Sequence, residues 1–373
     1  MEKKVLIFSI GYDPFIGGAE VAVKEITNRI SDIEWQMITC SLGKPLPKEE
    51  RIGNIKVVRL NGPKFLFPFK AFWMARKMHN KEKFDVFWSV MTYAGFAGLF
   101  SKIFFPKVKF LLTLQEGTPP SSLKRKSFFV YPIFCLMFRK ADKIQAISKF
   151  LASFGRDMGH KKEIEVIPNG VDLEVFSRDF SDEEKDDLKN KLDKKEGDIF
   201  LVTSSRLVHK NAVDDIISSL TYLPKNVSLL VIGKGEEGAC LQRQANSLGL
   251  EKRVKFLGFV LQNELPKYFS VSDIFVRPSR SEGFGNSFIE AMASGLPVVA
   301  TPVGGIVDFI DDRETGVFCS PDNPKSLAEA IMFLIKNPEI VESIRLKAYK
   351  RVSSRYSWDI ISRDMKDRVF NKI

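Results

Sequence analysis

The stretch Arg277-Pro-Ser-Arg-Ser-Glu-Gly-Phe-Gly-Asn-Ser-Phe-Ile-Glu290, continued by Ala-Met-Ala-Ser-Gly-Leu-Pro-Val-Val-Ala300, decides the fold. Just before it, residues 273–276 are short, apolar and β-branched, the composition of a buried strand. A loop with Gly283 and Gly285 follows, then an apolar helical run over about 286–294. Gly295 and Pro297 stop that run, and residues 297–300 begin another strand. A strand, a glycine loop and a helix start together make an anion site, because free N–H groups and the positive end of the helix dipole face the loop and glycine lets a ligand approach. Glu282 and Glu290 stand eight residues apart, a spacing that does not share one helix face at 100° per residue. One carboxylate therefore belongs to the loop and the other to the helix, which suits two hydroxyl-bearing groups flanking a phosphate. Spacing alone is served equally by a solvated loop Glu and a surface helix Glu.

Outward from this stretch, strands and helices alternate along the whole chain. Strand patterns cover 5–9, 36–40, 55–60, 85–90, 108–114, 143–146 and 165–168, with helical stretches near 19–30, 68–80, 93–104, 127–140 and 148–158. Residues 181–195, rich in Asp, Glu and Lys, read as a solvated linker helix. A second series of strands follows at 199–203, 227–232, 253–258, 273–276, 297–300 and 316–319. Repeated β–α units predict parallel sheets covered on both faces, in two doubly wound domains whose strand ends face a common cleft. A chain of 373 residues fits two domains of roughly 150–200 residues each. The expected division is 1–180, 181–355, and a C-terminal helix over 356–373 that packs back on the first domain.

Net charge is +11, and its distribution is uneven. Residues 1–180 carry 29 Lys/Arg against 18 Asp/Glu, whereas residues 181–373 carry 28 of each. The basic half is expected to meet something anionic. Cys40, Cys135, Cys240 and Cys319 are scattered without a Cys-x-x-Cys pair, and His79, His160 and His209 are isolated, so no metal cluster is visible. No apolar run approaches the ~20 residues that span a bilayer, and Met1-Glu-Lys-Lys leads directly into a strand pattern. These features predict a reduced, cytoplasmic protein.

Three further strand ends carry candidate chemistry. Gly17-Gly18 precedes a helix and exposes amides to a ligand, as would an ordinary turn. In Ser204-Ser-Arg206-Leu-Val-His-Lys210-Asn211, two cations four apart close a strand and are placed for a diphosphate, though surface cations read the same way in isolation. Gly233-Lys-Gly-Glu-Glu-Gly238 matches the dinucleotide fingerprint in form, but the next strand ends in Gly258-Phe-Val without the carboxylate that a ribose requires. A tight strand-to-helix turn is the expectation there.

Together these elements resemble the retaining glycosyltransferases of family 4, with the two-Rossmann-domain GT-B fold. Gly17-Gly18-Ala-Glu is similar to that family's glycine loop, and Pro168-Asn-Gly-Val-Asp172 to the turn before its second domain. Ser205-Arg206-Leu followed by Lys210 is similar to its phosphate pair, Glu282 to Glu290 to its E-x7-E motif, and Thr301-Pro-Val-Gly-Gly305 to the loop after it. The resemblance implies that Arg206 and Lys210 hold the donor diphosphate and neutralise the leaving phosphate. Glu290 would accept from ribose hydroxyls and Glu282 from the donor sugar. Backbone amides at Gly283, Phe284, Gly285 and Asn286, with Gly17 and Gly18, would complete the phosphate cradle. No Asp-x-Asp occurs in the chain. Cations are therefore expected to do a metal's work, with no metal and no cofactor beyond the nucleotide-sugar co-substrate.

One position departs from the family pattern. After the strand ending at Leu114, where a His commonly contacts the sugar, stands Gln115, which can hydrogen-bond but cannot shuttle a proton. For the acceptor, a glycan or lipid-linked molecule is expected. Lys124-Arg-Lys126 and the aromatic run 127–138 read either as an anionic-membrane contact or as a core helix. No nucleic-acid module appears. A nucleotide-sugar epimerase on the same fold, and less so a dinucleotide-dependent oxidoreductase resting on Gly233–Gly238, remain as alternatives.

Overall fold

The computed structural model describes residues 2–15, 17–117 and 130–373. The chain divides into two compact units: Met1–Asn169 with Trp358–Ile373, and Gly170–Ser357. The division falls at Gly170 rather than at the expected 180. The short helix Leu173–Phe176, capped by the Asp172 carboxylate accepting from the Val175 amide, belongs to the second unit. There Ser294 Oγ donates to the Phe176 carbonyl at 2.7 Å, and the Phe176 ring lies 6.3 Å from that of Phe269. At the other end, the segment that joins the first unit starts at Trp358, not 356. Its Phe370 ring stands edge-on to Trp35 and Trp88, each at 5.2 Å, inside the first unit's core. Arg368 ties it to Glu165 at 2.8 Å.

The first unit is built on β1 (Lys3–Phe8), β2 (Ile33–Cys40), β3 (Glu49–Ile52), β4 (Ile55–Leu60), β5 (Val86–Val90), β6 (Lys109–Leu114), β7 (Lys143–Ala146) and β8 (Ile164–Val166). Among the described residues their order is β3-β4-β2-β1-β5-β6-β7-β8, parallel throughout except for the β3–β4 pair. β5 is buried at every residue, which explains its continuous apolar run: a parallel strand covered by helices on both faces has no polar side. β3 escapes the sequence reading because it is four residues long and charged. It is an edge strand, joined to β4 by a hairpin in which Ile52 faces Ile55 and Gly53 takes a φ of 57°.

The second unit contains β9 (Ile199–Ser204), β10 (Val227–Ile232), β11 (Val254–Gly258), β12 (Ile274–Arg277), β13 (Val298–Ala300) and β14 (Val317–Phe318), in the order β11-β10-β9-β12-β13-β14 and all parallel. The acidic helix Asp182–Lys191 leads into it, started by a capping box between Ser181 and Glu184. In each unit the strand order reverses beside the first strand, at β1–β5 and at β9–β12. Open parallel sheets bind ligands outside the carboxyl ends of the strands at such a reversal. The loops after β1, β9 and β12 are therefore the ones that matter.

Of the aromatic run expected at 127–138, residues 127–129 and the Lys124–Lys126 bases lie outside the described residues. In the helix Tyr131–Lys140, Phe134 and Phe138 are core, packed on Phe154 at 6.4 and 5.6 Å, while Val130, Tyr131 and Ile133 are exposed. Among the described residues no helix is long and apolar enough to cross a membrane.

Candidate active site

The second unit gathers its expected residues around one buried guanidinium. Arg277 ends β12 and is 7% exposed. It donates to Glu282 Oε2 at 2.5 Å, to Asn211 Oδ1 at 2.9 Å and to Ser287 Oγ at 2.7 Å. Asn211 in turn donates to the Arg206 carbonyl at 2.6 Å. The loops after β9 and β12 are thereby fixed to one another, and Glu282 is held as a buried carboxylate rather than a solvated one. Lys210 Nζ lies 3.8 Å from the other Glu282 oxygen. Burial lowers the Lys210 pKa; Glu282 pulls it back up, and the cations of Arg277 and Arg206 push it down again. The Arg206 side chain is exposed and makes no ion pair among the described residues. A part-buried lysine with two arginines beside it and one carboxylate among them is a site whose remaining electrostatic demand is for an anion.

Arg280, inside the quoted stretch, is a cation of another kind. It donates to Asp214 at 2.9 Å, to Asp322 at 2.5 Å and to the His209 carbonyl at 2.8 Å, and its amide donates to the Lys210 carbonyl. Those carboxylates raise its pKa and leave it as a clamp on residues 209–215.

Two pairs of glycines let the loops pack. A Cβ on Gly304, whose φ is +57°, would lie 1.8 Å from the Glu282 carbonyl oxygen. The loop 303–305 rests directly on the backbone that carries Glu282, with the Gly305 amide donating to that carbonyl at 3.2 Å. Likewise a Cβ on Gly233 would meet the Ser205 carbonyl at 1.9 Å, and one on Gly235 the Leu207 carbonyl at 2.1 Å. The Gly-x-Gly at 233–235 thus supports the Arg206 loop from beneath.

Glu290 lies on the helix Asn286–Ala293, whose first residue follows Gly285 at φ +105°. It is 7% exposed and accepts from Gln262 Nε2 at 2.9 Å. Burial raises its pKa to about 7, against the opposing pull of Gln262 and Arg277. Phe284 turns its side chain into the core against Phe309, at 5.0 Å between ring centroids. The Gly283 amide, expected to face a phosphate, instead donates to Glu282 Oε1 at 3.2 Å.

The first unit holds the rest. Gly17 and Gly18 stand at the start of the helix Gly18–Arg29, which has no side-chain N-cap. The Glu20 carboxylate folds back over them: a Cβ on Gly17 would meet its Oε2 at 2.6 Å and one on Gly11 its Oε1 at 3.0 Å. Burial raises the Glu20 pKa, while hydrogen bonds from its own amide and that of Gly17 lower it. The glycine loop therefore already cradles a carboxyl group of the chain itself. Beyond β6, the side-chain amide oxygen Oε1 of Gln115 and Glu116 Oε2 are buried without partners among the described residues, while Glu116 Oε1 accepts from the Thr92 amide. Met91, before Thr92, has a left-handed φ of 70°. Burial raises the Glu116 pKa.

Residues 184–351 match the family described as glycosyl transferases group 1, and residues 16–175 match glycosyltransferase family 4. The chain belongs to the group 1, family 4 glycosyltransferases. An uncharacterized glycosyltransferase of Methanocaldococcus jannaschii is similar to it, 26% identical over 97% of this chain and 96% of that protein. The alpha-monoglucosyldiacylglycerol synthase of Acholeplasma laidlawii is 25% identical over 51% of this chain and 48% of that protein. Among solved structures, Anabaena HepE in complex with UDP and glucose has a TM-score of 0.82 at 22% identity, covering 99% of this chain and 100% of that one. That likeness is one of fold, and the fold is GT-B.

In this glycosyltransferase, sequence reasoning named Arg206, Lys210, Glu282 and Glu290 but gave no role to Arg277, Asn211 or Glu20. Arg277 left a signal, a lone charge closing a four-residue apolar strand. Asn211 and Arg277 are 66 residues apart, and only the pairing of β9 with β12 brings them together.

Proposed function

We propose that this glycosyltransferase moves a sugar from a nucleotide-sugar donor to a glycan or lipid-linked acceptor, with retention at the anomeric carbon and without a metal. The observation that carries this reading is the set of cations at the carboxyl ends of β9 and β12: exposed Arg206 and part-buried Lys210, backed by Arg277. In this reading the donor diphosphate lies against Arg206 and Lys210, facing the amides that start the helix Asn286–Ala293. Glu290 accepts from the ribose hydroxyls, and Glu282, its geometry fixed by Arg277, accepts from a hydroxyl of the sugar. As the glycosyl–phosphate bond breaks, negative charge grows on the leaving phosphate, where preorganised cations lower the barrier. The acceptor hydroxyl attacks on the same face and passes its proton to the departing phosphate. The products are the glycoside and a nucleoside diphosphate.

The UDP and glucose bound by Anabaena HepE and the lipid product named for the Acholeplasma synthase support these donor and acceptor classes. The basic residues 1–180 are assigned to the acceptor, with the enzyme at work in the cytoplasm against the inner face of the membrane. A thermal-shift screen of UDP-, GDP- and ADP-sugars against NAD(P) tests the donor reading: one nucleotide-sugar series stabilises the protein and NAD(P) does not. Stabilisation by NAD(P) alone overturns it.

A further inference from the structure

Two neighbouring helices of the first unit, Phe67–Lys81 and Thr92–Phe104, pack on each other and expose rows of large apolar side chains. Phe65, Phe69 and Trp73, four residues apart along the chain, are 68%, 56% and 60% exposed. Tyr93, Ile103 and Phe104 are exposed on the second helix. The rows touch: Phe69 stacks on Phe100 at 5.4 Å, and Phe72 meets both Trp73 at 5.4 Å and Phe104 at 5.6 Å. The Arg76 guanidinium lies over the rings of Trp73 and Phe104, at 5.2 and 4.8 Å. Soluble monomers seldom leave so continuous an apolar surface to water.

The two helices themselves carry bases and no acid, although Lys102 on the second is paired with Asp142 at 2.7 Å. From residue 51 to 81, and again from 86 to 115, the chain has Lys and Arg but no Asp or Glu. Lys70 and Lys77 are exposed on the helix that presents Phe69 and Trp73. Exposed Trp and Phe flanked by Lys70, Arg76 and Lys77 are matched by an anionic lipid surface. There the rings enter the headgroup boundary while the cations stay among the headgroups.

We propose that this face, on the helices Phe67–Lys81 and Thr92–Phe104, docks the protein on anionic bilayers, with Phe69, Trp73 and Phe104 inserted. It rests on the membrane setting proposed above and deepens it, but does not rest on the donor reading, since docking needs no nucleotide sugar and is measured without one.

The protein carries its own probe. Of its four tryptophans, Trp35, Trp88 and Trp358 are buried and Trp73 alone is exposed. The full chain is mixed with vesicles of phosphatidylcholine, or of phosphatidylcholine and phosphatidylglycerol, with and without brominated acyl chains. Anionic vesicles are expected to sediment the protein at low salt, protect Trp73 from acrylamide, and quench its emission when the chains are brominated. At ~1 M salt, where the screening length is ~3 Å, sedimentation falls severalfold. Phe69→Ser with Phe104→Ser abolishes the bromine quenching, and Lys70→Gln with Lys77→Gln weakens sedimentation; circular dichroism checks that both variants fold. Absence of sedimentation by the wild type overturns the proposal. So does sedimentation that leaves Trp73 open to acrylamide, which would place the contact elsewhere, or protection of Trp73 that tracks protein concentration without lipid, which would make the face a self-association surface.

Discussion

Replacing Glu290 with Gln separates what burial imposes on this carboxyl from what a ligand gains by it. An ordinary Glu titrates at 4.5, and burial raises Glu290 to about 7 in the fold. Because the folded value lies above the unfolded one, the protonated side chain favours the fold: that contribution is fully present below pH 4.5 and is lost as pH rises through 7. At about 1.4 kcal/mol for each tenfold change in proton affinity, the loss is on the order of 3 kcal/mol by about pH 8.5. Glutamine keeps the shape and the acceptor that Gln262 uses, and never ionises. Glu290→Gln should therefore match the wild type at about pH 5 and exceed it at about pH 8.5, with melting raised by about 2–4 °C per kcal/mol in a domain of this size. Nucleotide binding should show the opposite dependence. If the ribose hydroxyls donate to Glu290, they need its ionised form, and wild-type affinity for the nucleoside diphosphate should rise up to tenfold per pH unit until about pH 7, then level off. The variant should bind weakly and without that slope. Melting curves and calorimetric titrations across this range decide the matter. A variant less stable than wild type at high pH, or wild-type affinity flat in pH, refutes the reasoning.

Arg206→Ala and Lys210→Ala should each lower turnover tens-fold or more, at about 1.4 kcal/mol per factor of ten, with unchanged circular dichroism; near-normal kinetics in a folded double variant would remove them from the phosphate site. Gly304→Ala forces a Cβ to 1.8 Å from the Glu282 carbonyl in a left-handed conformation. It should cost at least about 2 kcal/mol in denaturant unfolding, and an unchanged midpoint would show that the loop yields freely. Transfer should proceed in EDTA; activity lost to the chelator and restored by magnesium or manganese would contradict the assignment of leaving-group stabilisation to Arg206 and Lys210.

What the sequence made legible was whatever rests on short-range pattern. The continuous apolar runs of β9 and β10 are buried strands of a parallel sheet, and they read as such. Gly285 before a helical run announced the helix start. Glu282 and Glu290 separated into loop and helix from spacing alone, but their burial did not, since no local pattern distinguishes a solvated Glu from one enclosed with Arg277. The Arg280 clamp joins residues 209–215 to Asp322, a contact that depends on which strands are neighbours. The glycines at 233 and 235 spelled a dinucleotide fingerprint, while their physical task is close packing beneath residues 205–207. The junction between units was placed late because the sparse acidic helix Asp182–Lys191 reads as a linker, whereas Leu173–Phe176 is already packed within the second unit.

The central claim is that the carboxyl ends of β9 and β12 hold the diphosphate of a nucleotide-sugar donor. A crystal structure of the protein with the stabilising nucleoside diphosphate tests it most directly. The account predicts phosphate oxygens within hydrogen-bonding reach of Arg206 and Lys210, and ribose hydroxyls on Glu290. A nucleotide bound elsewhere, with Arg206 and Lys210 untouched, would contradict it.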